Sequence, residues 1–156
     1  MKGEMMDEEE KDSDQIIRVI TKLPNEEPIV TEMSNGVEDT QRFCEGLIDI
    51  SSLPKDGNVM VICNDGFLLN GMEPNIVLPE WEEVFCGPLI FAGYDPETGD
   101  TISLTDKQVE ETLKYCKRNN LHHMSLEGAY RYAKVIGPLQ QSYDELGIDE
   151  TQMEAY

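Results

Sequence analysis

Two short apolar runs constrain this chain more than any other feature. The first, Val59-Met60-Val61-Ile62-Cys63, stops at Asn64-Asp65-Gly66. The second, Pro88-Leu89-Ile90-Phe91-Ala92-Gly93-Tyr94, stops at Asp95-Pro96-Glu97-Thr98-Gly99-Asp100. Apolar runs of about four to eight residues closed by turn chemistry read as buried strands. A helix start follows at Thr105, where Gln108 three residues on completes a capping box and Asp106 suits the positive end of the dipole. Two buried strands and one well-capped helix are enough to nucleate a domain.

The remaining segments hang on that nucleus. Gln15 to Thr21 is rich in β-branched residues and reads as a strand. The turn residues Leu23 to Pro28 join it to a second strand, Ile29 to Met33, as a hairpin. Ser34-Asn35-Gly36 breaks the pattern, and Val37 to Cys44 reads as a short helix that must dock on the sheet to be stable. Gly46 to Ile50 alternates like a half-buried strand, a loop spans 52–57, and Asn58 to Cys63 pairs back on it. Phe67 to Asn75 reads as a short apolar piece and a loop. Asn75 to Val84 reads as a turn or one-turn helix in which Trp81 either packs inward or stands out as an exposed anchor.

The helix from Thr105 turns Val109, Leu113 and Cys116 to one face, with Thr112 flanking, and ends in Lys114, Lys117 and Arg118. Past Asn119-Asn120, Ser125 caps a second helix, 126–136, whose Ala129, Tyr132, Ala133 and Ile136 share a face. Gly137-Pro138 closes it, and 139–146 reads as a short third helix. The expected organisation is an acidic disordered arm at 1–14, an α+β core at 15–118, and a helical appendage with a frayed tail at 119–156. The core is a mostly antiparallel sheet of about five strands with helices packed on one face. The appendage serves as a lid on the sheet or as a partner-binding addition.

Charge narrows the partners. The 156 residues carry a net charge of −20, and from Asp56 to Asp106 there are ten acids and no Lys or Arg. Such a field disfavours nucleic acid and anionic membrane and favours a basic protein. Residues 107–134 are the exception, with six bases against three acids. The same acids read equally well as solubilising surface. No apolar run approaches the roughly 18 residues of a membrane span, and the N-terminus has no signal-peptide core. The expected location is the cytoplasm. There the four cysteines, none at metal-ligand spacing, remain reduced.

Catalytic and cofactor signals are weak throughout. There is no glycine-rich phosphate loop and no nucleophile elbow. His122-His123 lacks an acid or Cys at ligand spacing and reads as a surface turn. Asp95 to Asp106 has acids where a calcium loop wants some of them, but its glycine falls at the fifth place rather than the sixth, and a hairpin turn explains it. No catalytic, cofactor-binding or metal residue is assigned, and no enzyme is expected.

Several of these pieces also occur in a fixed order: Val61-Ile62-Cys63-Asn64-Asp65-Gly66, then Gly71-Met72-Glu73-Pro74-Asn75, Phe85 through Gly93, and Ser103-Leu104-Thr105-Asp106. In that order the chain resembles domain-of-unknown-function family 3846 over about residues 15–118. The resemblance implies a small protein of bacteriophage or mobile-element type, with no activity to carry over. Joined to the charge, it suggests a non-catalytic binding protein that mimics DNA and inhibits a basic, nucleic-acid-binding host defence protein, of anti-restriction or anti-CRISPR kind. The candidate contact residues are Glu73, Glu80, Trp81, Glu82, Glu83, Asp95, Glu97, Asp100 and Asp106. The alternative is an accessory or regulatory module acting through its C-terminal helices.

Overall fold

The structure, a computed structural model, describes residues 14–147. The acidic arm, apart from Asp14, and the tail from Asp149 lie outside the described residues. In chain order the elements are β1 (Ile16–Lys22), β2 (Ile29–Ser34), α1 (Val37–Cys44), β3 (Ile48–Leu53) and β4 (Asp56–Asn64). There follow β5 (Pro74–Leu78), a 3-10 turn (Pro79–Trp81), β6 (Glu83–Cys86), β7 (Leu89–Tyr94), β8 (Thr101–Ile102), α2 (Asp106–Arg118) and α3 (Leu126–Leu146).

The main sheet runs β2-β1-β7-β4-β3, and every pairing in it is antiparallel. The apolar run 88–94 becomes the central strand β7. One of its edges takes β4, with Val59 opposite Gly93. The other edge is shared: β1 covers its first half, with Ile20 opposite Phe91, and β8 its second half, with Ile102 opposite Gly93.

Because side chains alternate along a strand, β7 feeds two cores. Leu89 and Phe91 join Ile20, Val59, Val61 and Cys63 on the face that α2 covers with Tyr115 and Cys116. Ile90 and Ala92 join Ile17, Val19, Met60 and Ile62 on the face that α1 covers with Cys44 and Phe43. The fold is α+β, a mostly antiparallel sheet with packed helices and a C-terminal helix, as the sequence predicts. The helices are not gathered on one face, however. α1 and α2 lie on opposite sides, because both faces of the central strands are apolar and both need a cover.

Two further expectations are corrected. The segment 75–84 is not a lone turn: it forms the antiparallel hairpin β5–β6, with Leu78 opposite Glu83. All five residues of β5 are buried, Asn75 included, which is why no alternation marked it as a strand. The second correction concerns Gly137-Pro138, which does not end a helix, since α3 continues through both to Leu146. Pro138 costs the Lys134 carbonyl its helical donor, but Lys134 and Pro138 are exposed and water can take that place.

α3 lies over the β5–β6 hairpin, burying Ala129 and Ala133 against Val77, Val84 and Cys86. Gly137 sits so close to the 3-10 turn that a Cβ there would fall 2.9 Å from the Pro79 carbonyl oxygen. Both predicted caps are present. Thr105 Oγ1 accepts from the Gln108 amide at 3.1 Å, Gln108 Oε1 accepts from the Thr105 amide at 2.9 Å, and Ser125 Oγ accepts from the Gly128 amide at 3.1 Å.

Candidate functional site

None of the ten acids between Asp56 and Asp106 is buried. The candidate contact residues fall in four places. Glu80, Trp81, Glu82 and Glu83 form the closed end of the β5–β6 hairpin. The Tyr115 hydroxyl donates to Glu80 Oε1 at 2.8 Å, which ties the turn to α2. Glu82 adopts the left-handed conformation, φ 51°, and caps the 3-10 turn by donating its amide to the Pro79 carbonyl at 3.3 Å. Trp81 is 44% exposed, so of its two expected placements the outward one holds.

Asp95, Glu97 and Asp100 belong to the turn between β7 and β8. It is held by its own side chains and backbone. The Asp95 carbonyl accepts from the Gly99 amide at 2.7 Å, and Asp95 Oδ1 accepts from the Glu97 amide at 2.9 Å. Asp100 and Asp14 line one shallow polar cleft of about 380 Å³.

Glu73 stands at the open end of the β5–β6 hairpin, about 16 Å along the strand from Glu82 by the usual rise per residue, and accepts from Asn25 Nδ2 at 2.6 Å. Asp106 pairs with Arg18 at 2.8 Å and is the one acid of the ten in an ion pair among the described residues. The hairpin and the β7–β8 turn therefore present carboxylates from short, internally braced turns, while Glu73 stands apart and Asp106 is partly neutralised.

A buried cationic knot has almost no signature in the sequence. Lys22 is 1% exposed, and its Nζ donates to Asn75 Oδ1 and Asn120 Oδ1 at 2.7 Å each and to the Leu23 carbonyl at 3.4 Å. Asn75 Nδ2 returns two bonds, to the Lys22 and Gly87 carbonyls, each at 2.8 Å. Burial pulls the ammonium below its ordinary value, against which Cys116, Glu27 and Glu26 pull it up. The one available signal was Asn75, a polar residue directly ahead of the apolar run Ile76-Val77-Leu78.

The thiols do not lend themselves to nucleophilic chemistry. Burial pushes Cys44 and Cys116 up to about 12, and Cys63 and Cys86 up to about 11. They stay protonated at neutral pH, whereas reactive cysteines have depressed values. Among the described residues no group of three or more His, Cys, Asp and Glu is placed to hold a metal ion. His122 and His123 stack edge to face, ring centroids 4.3 Å apart, and no described helix is long and apolar enough to cross a membrane.

No curated protein and no solved structure matches the chain. The model of the family described as domain of unknown function DUF3846 matches residues 17–118, from the second residue of β1 to the last of α2 and leaving out α3; the chain belongs to that family.

Proposed function

We propose that this chain is a non-catalytic acidic binding protein, of phage or mobile-element type, that occupies the nucleic-acid groove of a basic defence protein in the cytoplasm. The observation that supports this reading is a base-free acidic segment none of whose ten acids is buried and most of whose candidate carboxylates sit on braced turns. Duplex DNA carries one charge per roughly 1.7 Å of axis, and a partner built for it has a complementary potential that a second polyanion can exploit. Trp81, exposed beside Glu80, Glu82 and Glu83, supplies an aromatic anchor of the kind found at the centre of tight interfaces.

The test is release of fluorescent duplex DNA from a restriction or CRISPR effector, followed by anisotropy. Release at low salt that fades as salt rises is expected. Replacing Glu80, Glu82 and Glu83 together by Gln slows association roughly tenfold or more at low salt. Failure to displace DNA from either class of effector at any salt concentration would overturn the reading.

A second reading rests on α3. Tyr132, Val135, Leu139 and Leu146 form an exposed stripe at helical spacing, set apart from the buried face of Ala129, Ala133 and Gly137. That stripe fits a regulatory module that docks a partner helix. Removing residues 120–156 would uncover Val77 and Val84, so the clean test is Val135→Lys with Leu139→Lys. Loss of a partner with these two changes, and not with the glutamate triple change, selects the second reading.

A further inference from the structure

The outermost strand of the sheet offers a second surface, remote in role from the acids of 73–106. β2 pairs with β1 over six residue pairs, from Ile16 opposite Ser34 to Thr21 opposite Ile29, and has no neighbour on its other side among the described residues. Its orientation follows from β1. The Arg18 amide donates to Ser103 Oγ, and the Arg18 carbonyl accepts from Leu104, so both Arg18 groups point away from β2. In an antiparallel ladder the residue opposite, Glu32, then also turns its amide and carbonyl outward. By the period of two, Val30, Glu32 and Ser34 present the free row of donors and acceptors.

Natural edge strands are blunted by charged side chains, Lys above all, by Pro, by a bulge or by an inward-pointing charge. β2, Ile29-Val30-Thr31-Glu32-Met33-Ser34, follows Pro28 and carries one charge, Glu32, but has no Lys, no Pro within it and no register shift, and Ile29 and Val30 are exposed. Beside its end, on the α1 face, lies a cleft of about 370 Å³ with a nearly all-apolar wall, lined by Met33, Ser34, Asp39, Arg42 and Phe43. An open edge next to a side-chain pocket is the arrangement by which sheets take up an extended peptide. Main-chain bonds supply affinity, and alternate side chains supply choice.

We propose that β2 is a docking edge for an extended segment of a basic partner protein, which adds to the sheet as a further strand. Charge selects the occupant. Glu32 points to the face opposite the cleft, and Glu26, Glu27 and Glu38 flank the strand, whereas Asp39 is paired with Arg42 at 3.0 Å, so the segment carries Lys or Arg opposite Glu32. Its apolar residues, on the other side of the same strand, fill the Met33–Phe43 cleft. A second copy of this chain has the wrong sign at a net charge of −20, and so do the chain's own ends. This proposal stands independently of the DNA-mimic reading.

The probe is a capped peptide of alternating Lys and Val, added to the full chain and followed by amide NMR and calorimetry. Protection of the Val30, Glu32 and Ser34 amides is expected. Val30→Pro removes one outward donor without touching the β1 ladder and should weaken binding at least tenfold, as should Glu32→Lys. Phe43→Ala should weaken it for Val-containing peptides and spare a Lys–Gly one. The Glu80, Glu82, Glu83 to Gln change should leave the peptide's affinity within twofold. Unaltered binding by a folded Val30→Pro chain, shifts confined to 80–106, or a homodimer that Val30→Pro dissolves would each overturn the proposal.

Discussion

At the scale of single residues, the consequential groups are the buried titratable ones. Each thiol loses a proton more easily in the unfolded chain, where its value is ordinary, than in the folded one, where burial raises it to about 11 or 12. The stability these groups contribute is full below about pH 9. As pH rises from there, each costs up to about 1.4 kcal/mol per pH unit. Tyr115, pushed up by burial and by Glu80, acts in the same sense. Lys22 acts in the opposite sense, because a lowered folded value means stability is gained as pH rises toward its ordinary value. Up to pH 10 four thiols act against one amine, and the phenol joins them only above about pH 10. The urea midpoint should fall from pH 8 to pH 10, with a smaller fall for Cys116→Val. Lys22→Met leaves the Asn75 and Asn120 oxygens without their donor and should cost about 2–4 kcal/mol at pH 7, read from the same unfolding curve.

At the scale of elements, what was legible followed from local chemistry. The caps of α2 and α3, the β1–β2 hairpin and the helix 37–44 are all written in short-range patterns, and each forms as read. Where burial replaces alternation, the pattern disappears. β5 is inside on both faces, covered by the main core and by α3, so Asn75 to Leu78 shows no period of two. Pro79, Trp81 and three glutamates then look like a loop rather than the tip of a hairpin. α3 departs from its local pattern for the opposite reason, since Gly-Pro is ordinarily a helix stop and only the docking of Gly137 on Pro79 explains its presence. That docking sets a test. A helical Gly→Ala change usually stabilises by about 1 kcal/mol. Gly137→Ala should instead destabilise by about 1–3 kcal/mol, because its Cβ meets Pro79 backbone and would lie only 2.5 Å from Glu82 Cγ. Thermal melting of the single variant decides the sign.

On the scale of the whole molecule, composition announced the acidic field, and only the fold showed where it is anchored. The sequence put the candidate acids on turns; it did not show that Asp106 is held by Arg18, or that Glu73 sits at the far end of the hairpin from Glu82. Mutual repulsion among the exposed carboxylates works against the compact state over a screening length of about 8–10 Å. Stability should therefore rise between 10 mM and 500 mM salt. The Glu80, Glu82, Glu83 to Gln chain should gain roughly 0.5–1 kcal/mol at low salt and little at high, with Gln at position 80 still able to accept from Tyr115. A flat salt dependence in both chains would mean the acids are too far apart to act on one another.

The place of β7 governs how this protein can be made. The strand sits between β1 and β4 and feeds both cores, yet it is reached only after residue 88, some seventy positions beyond its partner Ile20 on β1. During synthesis from the N-terminus, β1–β2 and β3–β4 can close as separate ribbons, each with an inner edge unsatisfied and an oily surface on both sides. Neither can be buried until the keystone between them emerges. Pairings so distant in sequence make folding slow, and waiting hairpins with open edges invite pairing with their neighbours on a polysome. Mutual repulsion between the acidic N-terminal halves of neighbouring chains opposes that pairing for as long as β7 is missing.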